Sequence, residues 1–345
     1  MEPVVTSTPE ELRELRSAVR GFLEQHAPAR AQLTQDATTW KRLTEELGLT
    51  ALPVAEGSGG AGATFVELAV VLEETGRSLL RAPYLSTVVA ALVLQGADDL
   101  LPSLADGSAP AALALAGSVR SSAGRLTGTL EQVVDAAEAA LLVVAADDGL
   151  HVVPRDGEGV TVTPLTPLDG TRPQARVQLA SAPARVVGDA AAAPHARDLL
   201  HVALACESAG AAERCIELAV EHLKVREQFG RPLGSFQALR HRVADLTVLL
   251  EGARSTAWYA ARAAAGLSED LPVVAPLALA TCAEAFRTIA GESIQLHGGI
   301  GFTWEHDAHL YFKRAWTTAL LHGEPRTLRH LAATRAGVLT GGDLA

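Results

Sequence analysis

Hydrophobic positions in the first hundred residues recur at helical spacing and are bracketed by start and stop signals. Leu12, Leu15, Val19 and Phe22 fall on one face of a helix opened by Thr8, Pro9 and Glu11, the residue pattern of a capping box with proline in the first turn. A second predicted helix carries Trp40, Leu43 and Leu47 and stops at Gly48. Thr64 and Glu67 form another box ahead of an apolar helix that runs through Leu72 and ends near Gly76, and a further helix covers residues 86–94.

Near Ala111 the period shortens. β-Branched runs at 141–144, 151–153 and 160–162 are separated by the turn sequences Asp147-Asp148-Gly149 and Asp156-Gly157. Asp169-Gly170 and Pro173 precede a strand at 175–179, expected to be the last but one of this region. After about Pro194 the helical period returns, and Val243, Leu246, Leu250, Ala253 and Ala257 form one buried stripe. Pro272 and Pro276 mark a break between helices near the start of the next one. The expected fold is mainly α with a small β domain: an N-terminal helical domain at 1–110, a middle β domain at 111–190, and a C-terminal helical bundle at 191–345. No internal repeat, coiled coil or low-complexity segment interrupts it.

Composition removes several function classes. With 345 residues and 48% hydrophobic content the chain has ample material for packed cores. Its 29 Lys plus Arg against 40 Asp plus Glu exclude a phosphate-backbone binder, because counterion release needs clustered positive charge. Nucleic acid is therefore not an expected partner. Met1 to Val5 carries no basic leader, and the apolar run at 139–146 is too short to cross a bilayer, so no membrane association and a cytoplasmic location are expected. Cys206, Cys215 and Cys282 lack metal-type spacing and read as reduced, buried thiols.

Among candidate motifs, the run from Gly57 through Gly62 follows no strand of a βαβ unit and reads as a flexible interhelical loop. His306 and His309 share a helical face but have no third ligand nearby, and read as solvated or capping histidines rather than a metal site. No serine sits in a nucleophile elbow. Two stretches carry more chemistry: Val225-Arg226-Glu227-Gln228-Phe229-Gly230-Arg231-Pro232-Leu233 followed by Phe236-Gln237-Ala238, and Ile294-Gln295-Leu296-His297-Gly298-Gly299-Ile300-Gly301-Phe302. Arg226 can grip a pyrophosphate bidentately, Gln228 and Gln237 supply amides, and Gly298 and Gly299 let backbone approach a nucleotide. The plainer alternatives are a surface salt bridge for Arg226 and a helix C-cap for the glycines.

Together, about sixty residues apart in a helical bundle behind a small β domain, these stretches resemble the C-terminal domain of acyl-CoA dehydrogenases. That resemblance extends over nearly the whole chain, and it implies that the helical bundle at 191–345 builds an oligomer core and that the β domain at 111–190 is shortened. It implies FAD as cofactor, an acyl-CoA thioester as substrate and electron transfer flavoprotein as acceptor. It also implies that Arg226, Gln228, Phe229, Gln237, Gln295, Gly298 and Gly299 contact the ADP half of an FAD whose flavin ring sits mainly in a neighbouring subunit. The family's reaction removes an α-proton with a carboxylate and passes hydride from the β-carbon to flavin, giving a 2-enoyl-CoA.

The chain departs from the family pattern on the flavin side. Where the common catalytic Glu-Gly is expected stand His322-Gly323, and the alternative glutamate position in the preceding long helix is Leu200, followed by His201. The T-E-P-x-x-G-S-D stretch and W-I tryptophan of the β domain are missing, and Glu324-Pro325-Arg326 replaces the T-S-Q triplet. This asymmetry resembles the smaller, non-catalytic partner in bacterial heteromeric acyl-CoA dehydrogenases, commonly two-plus-two tetramers in which a catalytic paralogue brings the glutamate and some members act on steroid side-chain thioesters. Two other readings stand beside it: a self-sufficient flavoenzyme using His322 or Glu324 as base, and a non-enzymatic paralogue kept for its interaction surface.

Overall fold

A computed structural model of the chain describes residues 6–34 and 37–339, and the expectation drawn from Met1 to Val5 lies outside the described residues. In chain order the longer helices are α1 (Pro9–His26), α2 (Ala37–Glu45), α3 (Phe65–Ser78), α4 (Tyr84–Val93) and α5 (Leu101–Ala105). Then come strands β1 (Ala111–Ala114), β2 (Ser118–Ser122), β3 (Arg125–Val134), β4 (Leu141–Ala146), β5 (Gly149–Pro154), β6 (Val160–Pro164), β7 (Gln174–Pro183) and β8 (Arg185–Gly188). The rest comprises α6 (Ala192–Val225), a short hairpin of β9 (Glu227–Gln228) and β10 (Arg231–Pro232), α7 (Gln237–Arg262), α8 (Leu271–His297), α9 (Ala308–Leu321) and α10 (Pro325–Arg335). The described residues of 1–32, 69–80 and 201–345 form one compact unit, and those of 33–68 and 81–200 form a second. The units therefore interleave along the chain, with α3 and α6 each contributing to both.

In the second unit two sheets pack face to face, one in the order β1-β4-β5-β8 and the other β2-β3-β7-β6. Leu142, Val144 and Val153 from the first meet Val119, Leu130, Val177 and Leu179 from the second in one apolar cluster. β4 is buried at four consecutive positions because it lies between β1 and β5 with both faces covered, so its sequence is a continuous apolar run rather than an alternation. Thr87 ties α4 to this layer: its hydroxyl donates to the Pro83 carbonyl at 2.6 Å and accepts from Ala111 N at 3.1 Å. The strands expected at 141–144, 151–153, 160–162 and 175–179 are all present, while β2 and β3 carry little apolar periodicity.

The glycine run at 57–62 is interhelical but knitted rather than flexible. Gly60, Ala61, Gly62 and Ala63 donate backbone bonds to Ala55, Ala51, Val54 and Leu52 carbonyls, and a Cβ on Gly60 would lie 1.9 Å from the Val54 carbonyl oxygen. Gly60 is thus required for close packing of the loop on itself, while Gly59 and Gly62 take positive φ of 87 and 63.

In the first unit α1 starts as expected, with Glu11 accepting from Thr8 N at 2.7 Å and the Thr8 hydroxyl accepting from Glu11 N at 3.3 Å. The end of α3 expected near Gly76 is found at Ser78, and the chain turns at Leu79, which has φ 53. Gly76 has another purpose. A Cβ there would stand 2.0 Å from the Glu207 carbonyl oxygen, and one on Gly210 would stand 1.9 Å from the Glu73 carbonyl oxygen, so α3 and α6 touch backbone to backbone at two reciprocal glycines.

That contact draws charge inward. Glu73 and Glu74, each 1% exposed, are met by Arg16 at 2.6 and 2.9 Å, and Arg20 grips Glu74 with two bonds of 2.8 Å. Arg77 forks onto Glu217 and also reaches Glu213, which Arg254 of α7 holds at 2.7 Å. Burial raises the Glu73 carboxyl above its usual range, with Arg16 opposing. Arg314 of α9, 1% exposed, bridges Glu207 and the Leu79 carbonyl at 3.1 and 3.2 Å, which satisfies the end of α3.

Leu246, Leu250, Ala253 and Ala257 of the predicted stripe are buried in α7, with Val243 half-buried. The break before α8 lies at Gly266, φ 78, and Pro272 occupies the first turn of α8. Pro276 sits inside α8 rather than at the break. The Pro272 carbonyl therefore lacks its usual intrahelical donor, and Arg335 of α10 donates to it at 2.7 Å. Residues 271–302 are long and apolar enough to cross a membrane by length and composition, a feature the sequence reading passed over; 61% of the most apolar window is buried here, against α7, α9 and α10.

The reciprocal glycine contact predicts that Gly210→Ala lowers unfolding free energy by at least about 2 kcal/mol, since backbone must move to admit the methyl. Gly21→Ala, on the exposed side of α1 with no atom within 4 Å of the new Cβ, is expected to be neutral or to stabilise by about 0.5 kcal/mol. Denaturant midpoints of the two variants check the contrast.

Candidate functional site: a cofactor-facing surface of the helical unit

The first of the two chemistry-bearing stretches begins where α6 ends at Val225. The chain reverses through β9 and β10, with Gln228 paired to Arg231 and both central residues, Phe229 and Gly230, at positive φ of 55 and 74. This is the backbone of a two-residue hairpin whose twist suits its strands. Phenylalanine is an uncommon choice there, costing on the order of 1 kcal/mol against glycine, and it leaves the Phe229 ring 89% exposed. The Arg226 carbonyl accepts from Leu233 N at 2.8 Å and closes the base of the hairpin. Phe236 braces it, with Phe229 edge-on at 6.1 Å and the Arg231 guanidinium 4.0 Å above its ring. Gln237 follows as the exposed first residue of α7.

The second stretch is the end of α8. Gln295 lies exposed on the last turn, and Gly298, with φ 63 and ψ −141, caps the helix by donating to the Gln295 carbonyl. That backbone conformation is open to glycine alone. Both Gly298 and Gly299 are exposed, with nothing of this chain within 4 Å of a built Cβ. The C-cap alternative is thus realised, and it leaves a side-chain-free surface at the same time.

Three histidines join the roots of the two stretches. His222, one turn before Arg226, packs against His297 with ring centroids 4.9 Å apart, and His297 packs against His306 at 4.1 Å. His297 is 4% exposed, and its Nδ1 donates to the Ser293 carbonyl at 2.6 Å. His306 Nδ1 accepts from Ala308 N at 3.1 Å, capping the start of α9. Burial, followed by His297 and Arg226, lowers the pKa of His222; burial, followed by His297, lowers that of His306. The sequence reading missed this stack. Its signal was available in the four-residue step from His222 to Arg226 and in His297 lying between Gln295 and Gly298.

Arg226 meets no carboxylate among the described residues, so the surface salt bridge that was its plain alternative is not made. Arg226, Gln228, Phe229, Gln237, Gln295, Gly298 and Gly299 are all exposed, and the structure brings their two segments to one surface of the helical unit. The other candidates lie elsewhere along the chain. His322 is the half-buried C-cap of α9, Gly323 has φ 111, and Glu324 is the exposed N-cap of α10. Leu200 and His201 are buried within α6. The cysteines are free and buried. No group of three His, Cys, Asp or Glu among the described residues is placed to hold a metal. A separate cavity of about 250 Å³ between α1, α3, α6 and α9 is lined by Arg20, Glu74, Arg77, Arg214, Asp307 and Tyr311.

Residues 9–107 match the family model described as acyl-CoA dehydrogenase, N-terminal domain, and residues 198–337 the one described as acyl-CoA dehydrogenase, C-terminal domain. The acyl-CoA dehydrogenase IpdE2 of Mycobacterium tuberculosis is 39% identical over 335 residues, spanning 94% of this chain and 96% of the relative. The chain belongs to the acyl-CoA dehydrogenase family. Acyl-CoA dehydrogenases are oxidoreductases, and solved structures of the family share the fold described above. The steroid acyl-CoA dehydrogenase variant Tcur3481-Tcur3483 G363A superposes with a TM-score of 0.86 at 31% identity, over 95% of this chain and 99% of that one. The ChsE4-ChsE5 complex of M. tuberculosis gives 0.87 at 25% identity, over 97% and 99%.

Because the Arg226 and Phe229 side chains are exposed, with one ring contact from Phe229 to Phe236, Arg226→Ala and Phe229→Ala should each leave unfolding free energy within about 0.5 kcal/mol of the parent. Phe229→Gly should raise it by roughly 1 kcal/mol by removing the positive-φ cost. Denaturant titrations measure both, and a large loss in Arg226→Ala would make the arginine structural.

Proposed function

We propose that this acyl-CoA dehydrogenase chain is the supporting subunit of a heteromeric FAD enzyme that desaturates acyl-CoA thioesters between the α and β carbons. The observation that carries this reading is Arg226: an exposed guanidinium on a rigid hairpin with no carboxylate partner, in a chain whose two family base positions hold His322 and Leu200. An unpaired guanidinium beside exposed amides and a side-chain-free glycine turn is the donor set a dinucleotide diphosphate requires. Those residues fit the ADP half of FAD.

Bound FAD would supply the hydride acceptor of the reaction. This chain's part is to bind and orient. Arg226 holds a phosphate bidentately, Gln228, Gln237 and Gln295 offer amide hydrogen bonds, and Gly298 and Gly299 admit the nucleotide to backbone distance. A related catalytic chain brings the carboxylate that takes the α-proton and seats the flavin ring. The similarity to a steroid acyl-CoA dehydrogenase and to a two-chain complex favours a heterotetramer acting in fatty acid or steroid side-chain β-oxidation. Electron transfer flavoprotein as acceptor and a cytoplasmic location complete the reading.

Purified alone, the chain is expected to be colourless; co-expressed with a glutamate-bearing paralogue, it should form a yellow complex with one FAD per pair. In that complex Arg226→Ala should weaken FAD binding by about ten- to a hundredfold, the worth of one charge-assisted contact. A yellow homomer that oxidises acyl-CoA would overturn the supporting role and move the base to His322 or Glu324. FAD content unchanged by Arg226→Ala in an intact complex would favour the interaction-subunit reading.

A further inference from the structure

The arginine of the hairpin does not stand alone. Arg226 N donates to the His222 carbonyl at 2.9 Å, so Arg226, the residue that follows α6, lies one helical turn beyond His222 on the same side. The His222 ring is half-exposed, and no hydrogen bond engages its nitrogens among the described residues. Its ring packs, tilted by 40°, against the His297 ring at 4.9 Å, and His297 is itself held by the bond from Nδ1 to the Ser293 carbonyl. An imidazole packed against a second ring, with no hydrogen bond to its nitrogens among the described residues and a guanidinium one turn away, is half of an anion site.

We propose that His222 is a further ligand of the cofactor diphosphate, beside Arg226, and that its imidazole takes up a proton from solvent as the anion docks. This rests on the reading that the hairpin and glycine turn hold FAD, and adds to it a residue that no motif of the family marks.

The electrostatics run in a definite direction. Burial, then His297 of α8 and Arg226 just beyond α6, hold the His222 imidazole below its usual range, which favours the neutral ring in the free protein. Farther along the stack are His306, Asp307 and Arg30, the last two paired at 2.7 Å. A diphosphate brings negative charge against Arg226 and reverses the field at the ring, which then favours imidazolium as a second donor. Binding is thereby linked to proton uptake. Affinity rises as pH falls through the bound-state pKa, by at most about tenfold per pH unit for one proton, and levels off below the free-state pKa.

The test uses the complete heteromeric complex, stripped of FAD and titrated with FAD by fluorescence at constant ionic strength. The parent should bind FAD roughly threefold or more tightly at pH 6.0 than at pH 7.5. His222→Phe, which keeps a ring on His297 but cannot ionise, should bind more weakly and lose that pH dependence. Riboflavin, without a diphosphate, should show none in either protein. Calorimetric titration of the parent with FAD in two buffers of different ionisation heat reads proton uptake directly, and serves if His222→Phe fails to assemble. Uptake of a measurable fraction of a proton is expected, and zero uptake overturns the inference. A His222→Phe complex with the parent's pH profile overturns it too. If Arg226→Ala binds FAD as the parent does, the cofactor reading itself fails; if Arg226→Ala releases FAD while His222→Phe behaves as the parent, only the present inference is lost.

Discussion

The backbone contact between α3 and α6 is the constraint on which the helical unit depends. Two helices that meet at Gly76 and Gly210 approach closely enough that their own carbonyls, those of Glu73 and Glu207, fill the space a methyl would need. The same approach buries the Glu73, Glu74 and Glu207 side chains, and buried carboxylates must be answered by cations. Arg16 and Arg20 come from α1, Arg77 from α3 itself, Arg254 from α7 and Arg314 from α9. Such pairs add little net stability, but each is costly to break singly. In this unit their effect is to specify which helix lies where.

The candidate surface inherits its rigidity from that arrangement. The hairpin grows directly from the end of α6, and the glycine turn from the end of α8. The ring contact of His222 with His297 sets the two in register. The candidate side chains therefore project from helix ends whose positions are determined in the interior. The exposed Phe229, Phe302 and Trp304 on the same two segments, 89%, 85% and 71% exposed, leave apolar area beside the polar donors.

Much of this was legible in the chain. Capping boxes located α1 and α3 because a local side-chain-to-backbone bond is decided within four residues, and the α7 stripe was readable because one face alone is buried. The arginine and glycine motifs carried the family resemblance. What the sequence hid were long-range packing decisions. Gly76 marked the neighbourhood of the helix end, but nothing nearby in sequence announces Glu207 as the neighbour it packs against. The buried ion network was invisible for the same reason, since glutamates and arginines on amphipathic helices ordinarily face water. Pro276 read as a boundary because its compensating donor, Arg335, lies about sixty residues away. The strands β2 and β3 escaped since polar and small residues such as Arg120, Gly128 and Glu131 interrupt their alternation.

The bond from Arg335 to the Pro272 carbonyl ties two distant parts of the chain into one cooperative element. A proline within α8 leaves a vacancy in the ladder of its opening turns, and the last described helix supplies the donor that fills it. Detaching α10 would thus unseat the beginning of the central helix as well as expose its own apolar face. Fraying of α10 therefore does not stay local: this helix acts as a fastener for a segment translated some sixty residues earlier.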